Sequence, residues 1–137
     1  MIKRILLVDD DFDDADFFGH AVSFVGQPIN FLHLESCAYL FKHLALNADY
    51  LPDLIFLDIN MTIVNGFQCL QKLKISPEYR NITVLIYSTS SSDRDKGLAI
   101  EFGAAGFVTK PFELKTLIEI LETIVSKDEY EKFLNFG

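Results

Sequence analysis

Five residues in this chain combine types and positions that could do chemistry together: Asp9 and Asp10, then Asp58, Ser88 and Lys110. Each follows directly on an apolar run, Ile5–Val8, Leu54–Leu57, Thr83–Tyr87 and Gly106–Thr109. Burying an ionised carboxylate inside such a run is costly, so Asp58 is expected at the end of its strand, facing a crevice. In open α/β sheets the carboxyl ends of the strands form the ligand-binding edge, where these groups can converge. Three packed carboxylates repel one another and resist joint ionisation, and a hard divalent cation relieves that repulsion. Mg²⁺ suits the set, because it takes few carboxylates, keeps several waters and accepts phosphate oxygens. A metal, an ammonium and a hydroxyl donor together match the equatorial oxygens of a phosphoryl group. A carboxylate can then be the nucleophile, and Asp58 is the candidate.

The elements that must position these groups follow from hydrophobic patterning. Leu54–Leu57 reads as a strand buried on both faces, because strands of parallel sheets appear as unbroken apolar runs. Further strands are expected at Ile5–Val8, Ile29–Leu34, Thr83–Tyr87 and Gly106–Thr109. Helical periodicity runs from about Asp13 to Val25, with Ala15, Phe18, Val22 and Val25 on one face. Ser36 is placed to cap a second helix with Leu40, Phe41 and Leu44 inward. Gly66 opens a third, and Ser92 with Asp95 resembles a capping box for a fourth that ends at Gly103. Leu114, Leu117, Ile118, Leu121, Ile124 and Val125 form the clearest stripe. Five strands alternating with five helices predict a parallel sheet with right-handed crossovers, a three-layer α/β sandwich. Residues 1–126 form one domain, and 127–137 read as a helical extension or tail with no output domain.

Composition excludes several functions. The net charge of −8 argues against a nucleic-acid binder, which needs a basic patch. No apolar run approaches the roughly 18 residues that span a bilayer, and no signal peptide precedes the first strand, so a cytoplasmic protein without membrane insertion is expected. Cys37 and Cys69 read as separate buried thiols in a reducing compartment. His20, His33 and His43 lack metal-ligand spacing and read as structural.

Leu7-Val8-Asp9-Asp10-Asp11, Leu57-Asp58-Ile59-Asn60-Met61, Gly66, Ser88 and Gly106-Phe107-Val108-Thr109-Lys110-Pro111-Phe112 stand in an order that resembles the receiver domain of two-component response regulators. The resemblance covers about residues 3–126. It implies a flavodoxin-like (βα)5 fold with strand order 2-1-3-4-5. It also implies that Asp58 accepts a phosphoryl group from a histidine kinase or histidine phosphotransfer protein. By the same resemblance, Asp10, Asp58 and the backbone carbonyl of Asn60 bind Mg²⁺, with Asp9 acting through water. Lys110 pairs with Asp58 or its phosphoryl oxygens, Ser88 bonds a phosphoryl oxygen, and Phe107 is an aromatic switch that turns inward with it. Ser88 rather than Thr89 keeps the register to both Asp58 and Lys110. The family also tends to have a cis bond at the position of Lys110-Pro111. Such a protein catalyses its own phosphorylation and slow hydrolysis, an enzyme only in a limited sense. It passes its signal to a downstream protein through a face around the fourth helix, fifth strand and fifth helix.

The chain departs from the family pattern at Thr62, where proline is common, so the loop after Asp58 is less restrained in φ. Serine replaces the commoner threonine at 88, and Phe107 lacks a tyrosine hydroxyl. Two other readings compete: a receiver-fold binding module that needs no phosphate, and a haloacid-dehalogenase-type phosphotransferase using Asp9. Asp9-x-Asp11-x-Asp13 also mimics a calcium loop, but Asp14 replaces its glycine and His20 its final glutamate, which excludes it. Asp11, Asp13, Asp14 and Asp16 read as a solvated helix start. The last helix and Tyr130–Leu134 are candidates for a homodimer contact.

Overall fold

The computed structural model describes residues 2–137. Strands β1 (Lys3–Val8), β2 (Ile29–Leu34), β3 (Leu54–Leu57), β4 (Thr83–Ser88) and β5 (Gly106–Thr109) alternate with helices α1 (Phe12–Ser23), α2 (Cys37–Leu46), α3 (Gly66–Ile75), α4 (Asp93–Glu101) and α5 (Leu114–Val125); a sixth strand, β6 (Leu134–Phe136), follows. The sheet order is β2-β1-β3-β4-β5-β6, and every neighbouring pair is parallel. The first five strands have the expected flavodoxin-like order.

Two apolar layers hold the sheet between its helices. On one side Phe18 of α1 and Leu117, Leu121 and Ile124 of α5 pack on Ile5, Leu7, Phe56 and Tyr87. On the other, Leu40, Leu44, Leu70 and Leu73 of α2 and α3 pack on Val8, Ile55, Leu57 and Phe107. All four residues of β3 are fully buried, which is why its sequence shows no alternation. Phe17, Phe41 and Phe67 are only partly buried against these layers, whereas Phe18 is fully enclosed.

Helix starts are capped as the sequence predicts. The Ser36 hydroxyl accepts from the Tyr39 amide and the Ser92 hydroxyl from the Asp95 amide. Asn65 and Gln68 cap α3 reciprocally, side chain to backbone. A Cβ at Gly66 would collide with the carbonyl oxygen of Asp58, so only glycine lets α3 begin this close to the end of β3. Helix α1 is shorter than its periodicity suggests, because Phe24 already serves as its C-cap.

Three expectations are corrected. The tail is not helical: β6 pairs with β5, and the Leu134 amide donates to the Ala105 carbonyl at 3.0 Å. The charged Lys127-Asp128-Glu129 interrupts the α5 stripe, and Leu134-Asn135-Phe136 then pairs with an edge of β5 that would otherwise be open. Cys37 and Cys69 are not separate thiols; they form a disulfide between the starts of α2 and α3, with Cα atoms 5.9 Å apart. Their sequence separation of 32 conceals that α2 and α3 pack on the same face of the sheet. The Lys110-Pro111 bond is trans, as no cis peptide bond occurs among the described residues.

Candidate functional site

The carboxyl ends of β1, β3, β4 and β5 bring Asp9, Asp10, Asp58, Ser88 and Lys110 to one edge of the sheet. Asp9 is fully buried and fixed at every polar atom. Its amide donates to the Leu34 carbonyl at 3.1 Å, and its carbonyl accepts from His33 Nε2 at 2.7 Å. Its Oδ1 accepts from the Asp11 amide at 2.9 Å, and its Oδ2 from Lys110 Nζ at 2.9 Å. Asp10 is half-buried, and its Oδ2 accepts from the Thr62 amide at 3.3 Å.

Asp58 extends β3 by one rung, its amide donating to the Val8 carbonyl at 2.9 Å. It is only 4% exposed, and its Oδ1 accepts from the Asn60 amide at 3.3 Å. Carboxylate oxygens of Asp9, Asp10 and Asp58 lie within 4.8 Å of one another. Burial, followed by the nearby charge of Asp9, pushes the Asp58 carboxyl up to about 7, against the opposing pull of Lys110 and the Asn60 amide. A cluster of hard oxygen donors carrying mutual repulsion is the donor set a divalent cation fits.

Lys110 was expected on Asp58, but its nearest partners are others. Its Nζ lies 2.8 Å from Asp14 Oδ2, 2.9 Å from Asp9 Oδ2 and 3.9 Å from Asp58 Oδ2. Burial pulls its pKa down, but the bonds to Asp14 and Asp9 and the charge of Asp58 outweigh that and hold it above the ordinary lysine value. Its ammonium also sits 5.3 Å from the centre of the Tyr87 ring. Tyr87 lies almost wholly buried beside three carboxylates, and burial first, with the charges of Asp14, Asp9 and Asp58, raises its phenol pKa.

Ser88 ends β4 fully buried, with its hydroxyl accepting from the Ser90 amide at 3.1 Å. Its carbonyl accepts from the Lys110 amide at 2.7 Å. Phe107 pairs with Ile86 in the ladder and is fully buried, so it occupies the inward position.

Three participants were not read from the sequence as part of the site. The sequence alone reads Asp14 as a solvated helix residue, but its carboxylate lies 2.8 Å from Lys110 Nζ. Its place three residues after the cap Asp11, in the first turn beside the strand ends, was the available signal. His33 supports the Asp9 backbone from β2, a contact without local sequence signature. Thr62 was read as a loss of restraint, yet its amide holds Asp10, and a proline there would have no amide to donate. The following Ile63 has φ 68°, a left-handed conformation that costs a β-branched residue on the order of 1–2 kcal/mol, and its side chain is fully exposed.

With this geometry in view, comparison with known proteins is decisive. The family model for the response regulator receiver domain matches residues 5–122. The chain belongs to the response regulator receiver family. Among its relatives, the DNA-binding dual master transcriptional regulator RpaA of Synechocystis sp. is 26% identical over 93% of this chain and 51% of its own length. The phosphate regulon transcriptional regulatory protein PhoB of Escherichia coli is 29% identical over 93% of this chain and 53% of its own length. The receiver thus spans about half the length of these curated relatives. The crystal structure of the phosphorylated cyanobacterial phytochrome response regulator RcpA superimposes with a TM-score of 0.80 at 26% identity, over 90% of this chain and 91% of that one. The Mn²⁺-bound form of response regulator Rcp1 gives 0.76 at 26% identity, over 90% and 92%. Among the described residues, no helix is long and apolar enough to cross a membrane.

Proposed function

We propose that this receiver is a phosphoacceptor signalling protein that takes a phosphoryl group on Asp58 from the phosphohistidine of a kinase or phosphotransfer protein. In that transfer the P–N bond breaks, a P–O bond forms to a carboxylate oxygen of Asp58, and the leaving imidazole takes up a proton. The observation that carries the reading is the convergence of the Asp9, Asp10 and Asp58 carboxylates within 4.8 Å, with Lys110 Nζ 3.9 Å from Asp58. Asp10, Asp58 and the Asn60 backbone carbonyl are the residues that would hold Mg²⁺, with Asp9 contributing through water. Once bound, Mg²⁺ would neutralise the carboxylates and the incoming phosphoryl charge.

The chain's own groups do the rest. Lys110 would exchange its bonds to Asp9 and Asp14 for bonds to the phosphoryl oxygens. Ser88 donates its hydroxyl to a phosphoryl oxygen, which draws the Ser88–Ser92 segment inward. That segment is tied to β5, because the Thr109 hydroxyl donates to the Ser90 carbonyl at 3.1 Å. The shift is therefore felt along α4, β5 and α5, a two-state element biased by the phosphoryl group. RcpA, a relative of the same size class, has been crystallised phosphorylated, and Rcp1 with a divalent cation, which supports the same chemistry here.

Incubation with Mg²⁺ and acetyl phosphate should add one phosphoryl mass, stable in acid and labile in base, and Asp58→Asn should abolish it. No adduct on the unaltered chain overturns this reading in favour of a phosphate-independent binding module. Ser88→Ala should still accept the phosphoryl group but lose the phosphate-dependent change at β5.

A further inference from the structure

At the end of the sheet opposite Asp58, a pocket of about 230 Å³ opens between β1, β2 and the close of α2. Strand register sets its floor. Arg4 pairs with Asn30 and Leu6 with Leu32, and the alternation of a strand puts all four on the face that α2 covers. His43, in the last turn of α2, and the C-cap Asn47 form one wall. Tyr50 and Pro52, in the loop leading to β3, form the other.

The polar groups of this lining are donors in search of an acceptor. Among the described residues the Arg4 guanidinium enters no ion pair, and it stands 4.7 Å from the centre of the Tyr50 ring. Stacking on a ring leaves the in-plane N–H groups of a guanidinium free. The Asp53 carboxylate is bonded to the Arg4 backbone amide, at 2.7 Å. Asn47 Nδ2 donates to the His43 carbonyl at 2.8 Å, so the amide nitrogen, not its oxygen, faces the imidazole, 3.4 Å from Nδ1. In the neutral ring Nδ1 is then the acceptor and Nε2 carries the proton. Nε2 has no partner among the described residues.

Charge and shape together select the ligand. One guanidinium beside one imidazole N–H complements a single negative charge, and a guanidinium edge matches the two oxygens of a carboxylate. Leu6, Leu32 and Pro52 offer only hydrocarbon, so the rest of the ligand is apolar. The volume exceeds the roughly 150 Å³ of an engineered cavity that holds benzene, which leaves room for a ring and its carboxylate. No acidic residue lines the pocket, although the chain carries 20 acidic residues against 12 basic ones. Those distant charges oppose an anion only weakly, because physiological salt screens exposed charges beyond about 8 Å.

We propose that this pocket binds a small carboxylic acid with an apolar body the size of a single ring, its carboxylate held by Arg4 and His43. The site is separate from the phosphoacceptor cluster, with which it shares no residue, and Asp58→Asn leaves binding intact.

The test is titration of the unaltered chain with benzoate at constant ionic strength, followed by backbone and side-chain resonances in ¹⁵N NMR spectra. Benzoate should give saturable shifts at Leu6, Leu32, His43 and the Arg4 side chain, with a dissociation constant in the millimolar range or below. Benzamide, which keeps the shape without the charge, should bind about tenfold more weakly, and so should acetate, which keeps the charge without the ring. Arg4→Met should weaken benzoate binding by about tenfold or more while resonances away from the pocket stay in place. Shifts that rise linearly with benzoate overturn the proposal, as does equal binding of benzamide, and neither result depends on how the variant folds. Inorganic phosphate saturating the same resonances more tightly than benzoate overturns it in favour of a simple anion site.

Discussion

Asp58 is a carboxylate the fold holds at a cost, and replacing it measures that cost. Its pKa lies near 7 in the folded chain, against an ordinary value of 3.8. In the unfolded chain the group ionises near 4, but in the folded chain it holds its proton until about pH 7. Stability therefore falls as pH rises from about 4 to about 7, and the full penalty applies above that. The span corresponds to about 4 kcal/mol. Asp58→Asn keeps the size of the side chain and removes the charge. It also deprives Lys110 of one of its three carboxylates, so the net gain should be about 2–3 kcal/mol at pH 8. The assay is urea unfolding in EDTA between pH 5 and pH 8.5. The variant should be more stable at pH 8, with the advantage shrinking toward pH 5. Saturating Mg²⁺ should raise the stability of the unaltered chain more than that of the variant, because a ligand that binds only the folded state stabilises it. A gap that is absent at pH 8, or that does not change with pH, would refute the idea that buried charge repulsion is stored at this site.

Other perturbations separate the supports of the site. Lys110→Met leaves Asp9 buried without its cation and should cost about 3–5 kcal/mol by chemical denaturation, whereas Asp14→Asn, on the more exposed side of the same ammonium, should cost under about 1 kcal/mol. Gly66→Ala forces a Cβ against the Asp58 carbonyl and should destabilise by about 1–3 kcal/mol while moving the Asp58 backbone resonances in an NMR spectrum. Reduction of Cys37–Cys69 opens a covalent loop of 32-residue separation; on a chain-entropy basis this costs about 3–4 kcal/mol, seen as a lower melting midpoint in reductant. An unchanged midpoint would show that the crosslink does not restrict the unfolded chain.

Much of the fold was legible because single strands and helices declare themselves locally. Ile29–Leu34, Leu54–Leu57 and Gly106–Thr109 have the same bounds in sequence and structure; Leu54–Leu57 is the plainest case, an apolar run closed at both ends by Asp53 and Asp58. The positions of Asp9, Asp10, Asp58, Ser88 and Lys110 at one edge follow from parallel topology alone. What escaped were pairings across the fold. Cys37 and Cys69 carry no mark of sharing a helix layer, and Asp14 is one aspartate among six between residues 9 and 16 until Lys110 crosses to it. The tail escaped for another reason. Three rungs of strand are too short to show a period, and β6 exists because β5 offers an edge, not because its own residues insist on it.

The full burial of β3 has a kinetic meaning. Its amides are bracketed by β1 and β4, and the Asp58 amide is itself bonded to Val8. These protons can exchange with solvent only when the whole sheet comes apart. A few residues further on, Thr62 to Val64 lie in a loop whose Ile63 is fully exposed and held in a left-handed turn. A boundary between amides locked in the sheet and a loop held by a few local bonds therefore falls within a few positions of Asp58. The carboxylate is anchored to the rigid side of that boundary, and the loop beside it can rearrange without carrying the Asp58 backbone along.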